Sequence, residues 1–159
     1  MLYDTLIRNA RVIDGSNTPG YSADVAIRAG RIERIADLRD ARAIEEIDAA
    51  GRVLAPGFID VHTHDDTVVI RQPQMLPKLS QGVTTVIVGN CGSSASPVSL
   101  RGDPPDPMNL LGSRAAFVYP TFSDYRAAVE AANPTLNVAA LVGHPALRRN
   151  PLDALYRTA

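Results

Sequence analysis

Apolar and polar positions change their rhythm twice along the chain. From Leu2 to Ile35 the apolar residues come in short stations: Leu6-Ile7, Val12-Ile13, Val25-Ala26-Ile27, then Ile32 and Ile35. They are separated by Asn9, Asp14-Gly15, Thr18-Pro19-Gly20 and Ala29-Gly30. Short stations divided by turn residues predict short strands. Asp24 to Ile27 alternates as a half-buried strand does, and Ala29-Gly30 turns the chain into a strand over 31–36. Further strands are expected over 44–48 and 51–54. No stretch before residue 70 carries a helical period of useful length, so the first fifty residues read as a small β-layer.

The second rhythm begins at Pro56-Gly57. Phe58-Ile59-Asp60-Val61-His62-Thr63-His64-Asp65-Asp66 reads as a buried strand that ends in polar residues. A short helix is expected over 72–80, with Pro77 tolerated only near its start or at a break. Val83 to Val88 is a β-branched run suited to a parallel strand covered on both faces, and it ends in Gly89-Asn90-Cys91-Gly92. Residues 95–120, rich in proline, glycine and serine, predict a long structureless connection of the kind that belongs to functional or mobile loops. Ser123 is expected to cap a helix over 124–132 that turns Tyr125, Ala128 and Val129 inward, and Asn133-Pro134 stops it. Asn137 to His144 is a third buried strand, and a last short helix is expected around 152–156.

Composition narrows the function classes. The 159 residues are 45% hydrophobic, enough for one ordinary core. Sixteen basic and 17 acidic side chains leave a formal charge of -1 with no long basic run, which gives no electrostatic case for nucleic acid. A single cysteine excludes an internal disulfide framework, and the absence of tryptophan argues against an aromatic binding platform. No run approaches the roughly 20 apolar residues that cross a bilayer, nor does the start read as a signal peptide. A cytoplasmic protein with no membrane partner is therefore the default expectation.

The chemistry lies at the strand ends. Side chains two apart on a strand leave the same face, so His62 and His64 are expected to point together with Asp60 behind them. Imidazoles placed that way can hold Zn²⁺ or a similar borderline ion; a solvated polar turn is the plain alternative. Cys91, between glycines that let the backbone approach a ligand, is either a small buried hydrophobe or a thiolate ligand. If it shares a centre with the histidines, the implied chemistry is hydrolysis by water that the cation has acidified, with the cation also polarising a carbonyl. A Cys-His nucleophilic pair using His144 is the competing chemistry. His144 is otherwise structural or pocket-lining. Asp65 and Asp66 are open between ligands, partners that orient the histidines, and the start of a solvated loop, the orienting role being preferred for Asp65.

These stretches resemble the amidohydrolase superfamily, and within it the D-aminoacylases, or N-acyl-D-amino-acid deacylases. The resemblance runs through Asp4-Thr5-Leu6-Ile7-Arg8-Asn9-Ala10, Val12-Ile13-Asp14-Gly15, the segment from Pro56 to Asp66, Gly82-Val83-Thr84-Thr85, Gly89-Asn90-Cys91-Gly92 and Leu141-Val142-Gly143-His144. It implies an α/β fold with a small β-domain, of which residues 1–55 are the N-terminal part. Residues 56–159 are then the first three β/α units of a truncated metal-dependent hydrolase TIM barrel. It implies zinc held by His62, His64 and Cys91, with Asp65 and His144 nearby, and hydrolysis of a small N-acyl-D-amino acid to a carboxylate and a D-amino acid. The family's two further histidine ligands, an aspartate and a basic group for the substrate carboxylate have no counterpart here. A missing C-terminal portion or a complementary chain is therefore expected, and a noncatalytic fragment or a hydrolase of cyclic amides is the alternative. Ser93-Ser94 after Cys91 and Pro145-Ala146 after His144 depart from the family pattern.

Overall fold

The computed structural model describes residues 2–149. They form two compact units divided between Pro56 and Gly57. The helix expected around 152–156 lies outside the described residues.

The first unit is a five-stranded sheet. Its strands are β1 (Leu2–Val12), β2 (Tyr21–Arg28), β3 (Arg31–Ala36), β4 (Arg42–Asp48) and β5 (Val53–Leu54). The order is β3-β2-β1-β4, with β5 also on β1. β2 runs antiparallel to β1, while β4 and β5 run parallel to it. Ala29 and Gly30 both take positive φ (49° and 71°), the two-residue hairpin geometry that matches strand twist.

The two apolar stations expected on either side of Asn9 are in fact one strand. Asn9 is a bulge with φ 55°, and the register against β2 shifts between Ile7 and Ala10. Its N–H donates to Asp24 Oδ1 and its side-chain amide to Asp48 Oδ1, both at 2.9 Å. Long-range partners therefore keep a turn-forming residue inside a strand. Tyr3, Leu6, Ala26 and Leu38 form one buried cluster, and Ala10, Val12 and Val25 another.

The second unit is built on a parallel three-stranded sheet, β6 (Phe58–Asp60), β7 (Val83–Val88) and β10 (Asn137–Ala140), in the order β10-β7-β6. Two single-turn helices, α1 (Val68–Arg71) and α2 (Leu76–Leu79), connect β6 to β7, and α3 (Phe122–Ala132) lies between β7 and β10. Pro77 sits in the first turn of α2, where its missing N–H costs nothing. Val86 and Val88 of β7 are fully buried and pack with Val69, Met75, Tyr125 and Leu136.

β7 comes nearest the expectation of a strand covered on both faces: Val86 and Val88 are buried on one face, while Val83, Thr85 and Ile87 on the other are half-buried. β6 is three residues long, and Phe58, Ile59 and Val61 are each about 60% exposed. β10 alternates between exposed and half-buried positions. Among the described residues both are edge strands, so apolar side chains suited to burial lack neighbours on one side. The chain forms an α/β sheet with no closed barrel among those residues.

Residues 95–120 are not structureless. β8 (Val98–Ser99) pairs antiparallel with β9 (Val118–Tyr119), and 3₁₀ turns occupy Met108–Leu111 and Arg114–Ala116. Val98, Met108, Leu111 and Phe117 are buried together with Ala146. These apolar residues are too irregularly spaced to show a period, yet all face inward. The cap of α3 is Thr121 rather than Ser123: Thr121 Oγ1 accepts from Asp124 N–H at 3.2 Å and Asp124 Oδ2 accepts from Thr121 N–H at 3.0 Å. Asn133 ends the helix in the left-handed conformation. Past β10, His144 does not close a strand but opens a helix, α4 (His144–Arg149).

Candidate metal centre

His62 and His64 follow the last paired residue of β6 rather than standing on the strand. Asp60 fixes the start of this turn by accepting from the His62 N–H at 3.2 Å. Lys78, delivered by α2, donates to Asp60 Oδ2 at 2.5 Å and to Thr63 Oγ1 at 3.2 Å, and pairs with Asp65 Oδ2 at 3.2 Å. Thr63 Oγ1 donates to Asp65 Oδ2 at 2.6 Å. One ammonium thus clamps carboxylates on both sides of the histidine pair. The hydrogen bond from Lys78, opposed by burial and helped by the His62 N–H, holds Asp60 below the usual carboxylate range. Burial works against the charge on Lys78, but its bonds to Asp60 and Asp65 outweigh that and raise its pKa.

The second loop leaves β7. Ser93 N–H donates to Asn90 O at 2.9 Å, closing a turn in which Cys91 takes φ 54°. A left-handed non-glycine residue is held there only when its surroundings demand it. Two close approaches supply that demand. A Cβ on Gly89 would lie 2.2 Å from Leu141 O, and one on Gly143 would lie 2.1 Å from Gly92 O. Gly143 N–H also donates to Ser94 Oγ at 2.9 Å, so Ser94 ties the Cys91 loop to the segment that follows β10.

Asp66 sits between these loops and is 1% exposed. Its Oδ2 accepts from Gly89 N–H at 3.2 Å and its Oδ1 from Ala95 N–H at 3.1 Å, while its carbonyl accepts from Tyr125 Oη–H at 2.8 Å. Burial raises the Asp66 pKa, with the two backbone hydrogen bonds pulling the other way. Burial, reinforced by the nearby Asp66 charge, pushes the Tyr125 hydroxyl well above its ordinary value.

Together the two loops bring ligand atoms of His62, His64 and Cys91 within 4.8 Å of one another. His62 Nε2 is 2.9 Å from Cys91 Sγ, and the two imidazoles meet edge-on with centroids 5.8 Å apart. His64 Nδ1 is buried and has no hydrogen-bond partner. Two imidazoles and a thiol are the donors a borderline divalent ion prefers, and ligands around one tetrahedral zinc stand about 3.5 Å apart. Small side-chain adjustments would bring the three to that spacing, so these residues fit a metal.

The other sequence candidates fall elsewhere. Asp65 spends its carboxylate on Thr63 and Lys78 rather than on an imidazole. His144 is exposed at the start of α4 and is not among the gathered donors. Sequence reasoning missed Lys78 altogether, since nothing in its surroundings marks an 18-residue reach to Asp60. It left Asp66 undecided, although an acid directly before Thr67-Val68-Val69-Ile70 is a signal of burial. A polar concavity lined by Arg8, Asn9, Asp24, Arg39 and Glu46 lies in the first unit. Arg8, Asn9, Asp24 and Glu46 already bond within that unit, so the three-donor cluster is the site with chemistry to spare.

A model of the Amidohydrolase family matches residues 45–159. The chain is 46% identical over 157 residues to a D-aminoacylase of Alcaligenes xylosoxydans xylosoxydans, an alignment covering 99% of this chain and 32% of that relative. A solved D-aminoacylase, described with a binuclear metal centre activated by one metal and attenuated by the second, has a TM-score of 0.93 and 46% identity over 99% of this chain and 33% of its own. The N-acyl-D-glutamate deacylase of Bordetella bronchiseptica, solved with zinc and a phosphonate mimic of the tetrahedral intermediate, has a TM-score of 0.86 and 44% identity, covering 93% of this chain and 31% of its own. The chain spans about a third of the length of the curated relatives it matches.

Proposed function

Because the chain belongs to the amidohydrolase family, we propose that it supplies part of the metal centre of a deacylase that hydrolyses N-acyl-D-amino acids to a carboxylate and a D-amino acid. The carrying observation is the convergence of His62, His64 and Cys91 from two loops onto one point. Residues 1–55 are read as the N-terminal part of a small β-domain and 56–159 as the first three β/α units of a (β/α)₈ barrel. Sites of such folds lie at the carboxyl ends of their strands, where both loops stand.

Zinc is the proposed ion, since the donor set suits it and a relative was solved with it. When bound, it would act as a Lewis acid on the scissile carbonyl and acidify water for attack. The chain's own residues have supporting tasks. His62, His64 and Cys91 hold the ion, Lys78 with Asp60 and Asp65 fixes the turn that carries the histidines, and the left-handed turn at Cys91 presents the sulfur.

The test is hydrolysis of N-acetyl-D-methionine against its L isomer by the protein in its full natural length, before and after chelation. The proposal expects turnover of the D isomer that chelation removes and zinc restores. Turnover of hydantoins or dihydropyrimidines without any D-amide hydrolysis would contradict it. A second reading is favoured by the chain's span of about a third of its relatives: the 159 residues alone bind an ion without turning over substrate. D-amide hydrolysis by the 159-residue chain, abolished by His62→Ala, would refute that reading.

A further inference from the structure

Between His64 and the Cys91 loop stands a group that neither the ligand set nor the proposed reaction uses. Asp66 is two residues beyond His64 in sequence, yet its carboxylate is spent on the backbone of the other loop. One oxygen takes the N–H of Gly89 and the other the N–H of Ala95, at 3.2 and 3.1 Å. These residues bracket Cys91 on both sides, so a single rigid carboxylate grips the loop before and after the sulfur.

We propose that Asp66 is a positioning residue that sets the Cys91 sulfur against the His62 and His64 imidazoles before any ion binds. The inference rests on the metal-centre reading above and adds to it where the geometry comes from. Three observations on separate elements support it.

The first is burial. At 1% exposure, an aspartate left without both donors would be costly. The carboxylate and the two N–H groups therefore hold one another in a single arrangement. The second is the other end of Asp66. Its carbonyl accepts from Tyr125 at 2.8 Å, and Tyr125 is a buried residue of α3 packed with Val69, Val86 and Val88. Asp66 is thus fastened to the core on one side and to the cysteine loop on the other. The third is the unfavourable backbone of Cys91, φ 54°. A left-handed turn at a side chain with a Cβ needs outside restraint, and the paired N–H bonds on its two flanks supply it together with the close approaches at Gly89 and Gly143. Without them the sulfur would lose its place 2.9 Å from His62 Nε2.

The experiment titrates Co²⁺ into the metal-free, full-length protein and follows the thiolate-to-cobalt charge-transfer absorption together with the dissociation constant. Three proteins are compared: wild type, Asp66→Asn and Tyr125→Phe. Asn keeps the shape of the side chain but replaces one acceptor with a donor, so it can serve only one of the two N–H groups. Phe removes the tie to the core and leaves the carboxylate contacts intact. The proposal expects Asp66→Asn to bind Co²⁺ about ten-fold more weakly with a diminished thiolate band, and Tyr125→Phe, which loosens the tie to the core but keeps both carboxylate contacts, to lose less affinity than Asp66→Asn. Wild-type affinity and band in folded Asp66→Asn, or a larger loss in Tyr125→Phe than in Asp66→Asn, would overturn it.

Should Asp66→Asn fail to fold, amide exchange in the native metal-free protein reads the same contact. Slow exchange at Gly89 and Ala95 without metal is expected. Fast exchange that slows only when the ion is added would overturn the proposal, because the metal and not Asp66 would then order the loop. Failure of the underlying reading looks different: wild type would show no thiolate band and Cys91→Ala would bind Co²⁺ as well as wild type does.

Discussion

In the first unit Asp24, Asp48 and Glu46 bind backbone and side-chain groups of their own sheet, whereas in the second Asp60, Asp65 and Asp66 stand around three donor atoms that face one another. Asp24 joins the bulge at Asn9 to Leu38 N–H, and Asp48 takes Asn9 and Ala50. These bonds hold register. The second group fixes two loops whose tips carry His62, His64 and Cys91. Similar acids are used in one case to finish a sheet and in the other to aim a set of ligands.

The largest expected effect that tests this contrast is on metal binding. Replacing Cys91 or His62 by Ala should weaken the metal by more than about 100-fold, beyond what loss of a supporting hydrogen bond costs, while Asp24→Ala should leave affinity unchanged. Titration calorimetry would check this, and a loss under ten-fold for Cys91→Ala would erase the distinction between the units.

Two glycines sharpen the contrast next. A Cβ at Gly143 would lie 2.1 Å from Gly92 O, but one at Gly30 would meet nothing within 4 Å. Gly143→Ala should cost about 3 kcal/mol through forced movement of the Cys91 loop, and Gly30→Ala about 1 kcal/mol from its left-handed backbone alone. Denaturant unfolding would separate the two. Smaller still is Thr121→Ala, which removes half of a capping box and should cost about 1 kcal/mol, readable in the same unfolding series and without effect on metal affinity.

The smallest effect is on acid stability. The hydrogen bond from Asn9, then that from Ala50 N–H, holds Asp48 below its ordinary pKa. Its folded pKa is therefore below its unfolded one, so its contribution is complete above the unfolded value of about 3.9. It is lost as the pH falls through the folded value. Thermal unfolding at pH 5 and pH 3 should show a narrower gap for Asp48→Asn than for wild type. An unchanged gap would mean that Asp48 does not carry acid sensitivity in the first unit.

Sequence periodicity revealed what depends on neighbours in the chain. The β-branched run of β7, the hairpin at Ala29-Gly30 and the inward face of α3 at Tyr125 are local patterns and were legible. The i, i+2 spacing of the histidines and the glycines around Cys91 likewise pointed to one site. Features set by distant partners were not. Asn9 looks like a turn residue until Asp24 and Asp48 are placed around it. The buried residues between 95 and 120 follow no period, since their partners include Ala146. Lys78 and Asp66 acquire their roles only when α2 and the Cys91 loop reach the histidine turn. The burial expected for β6 and β10 failed because strand composition records the neighbours a strand is suited to, not those present among the described residues.

The most direct test of the central claim is X-ray absorption at the zinc edge of the zinc-loaded protein. The account predicts a sulfur scatterer at about 2.3 Å beside nitrogen donors at about 2.0–2.1 Å, with the sulfur lost in Cys91→Ala. A shell of nitrogen and oxygen alone in the wild type would place Cys91 outside the metal site and contradict it.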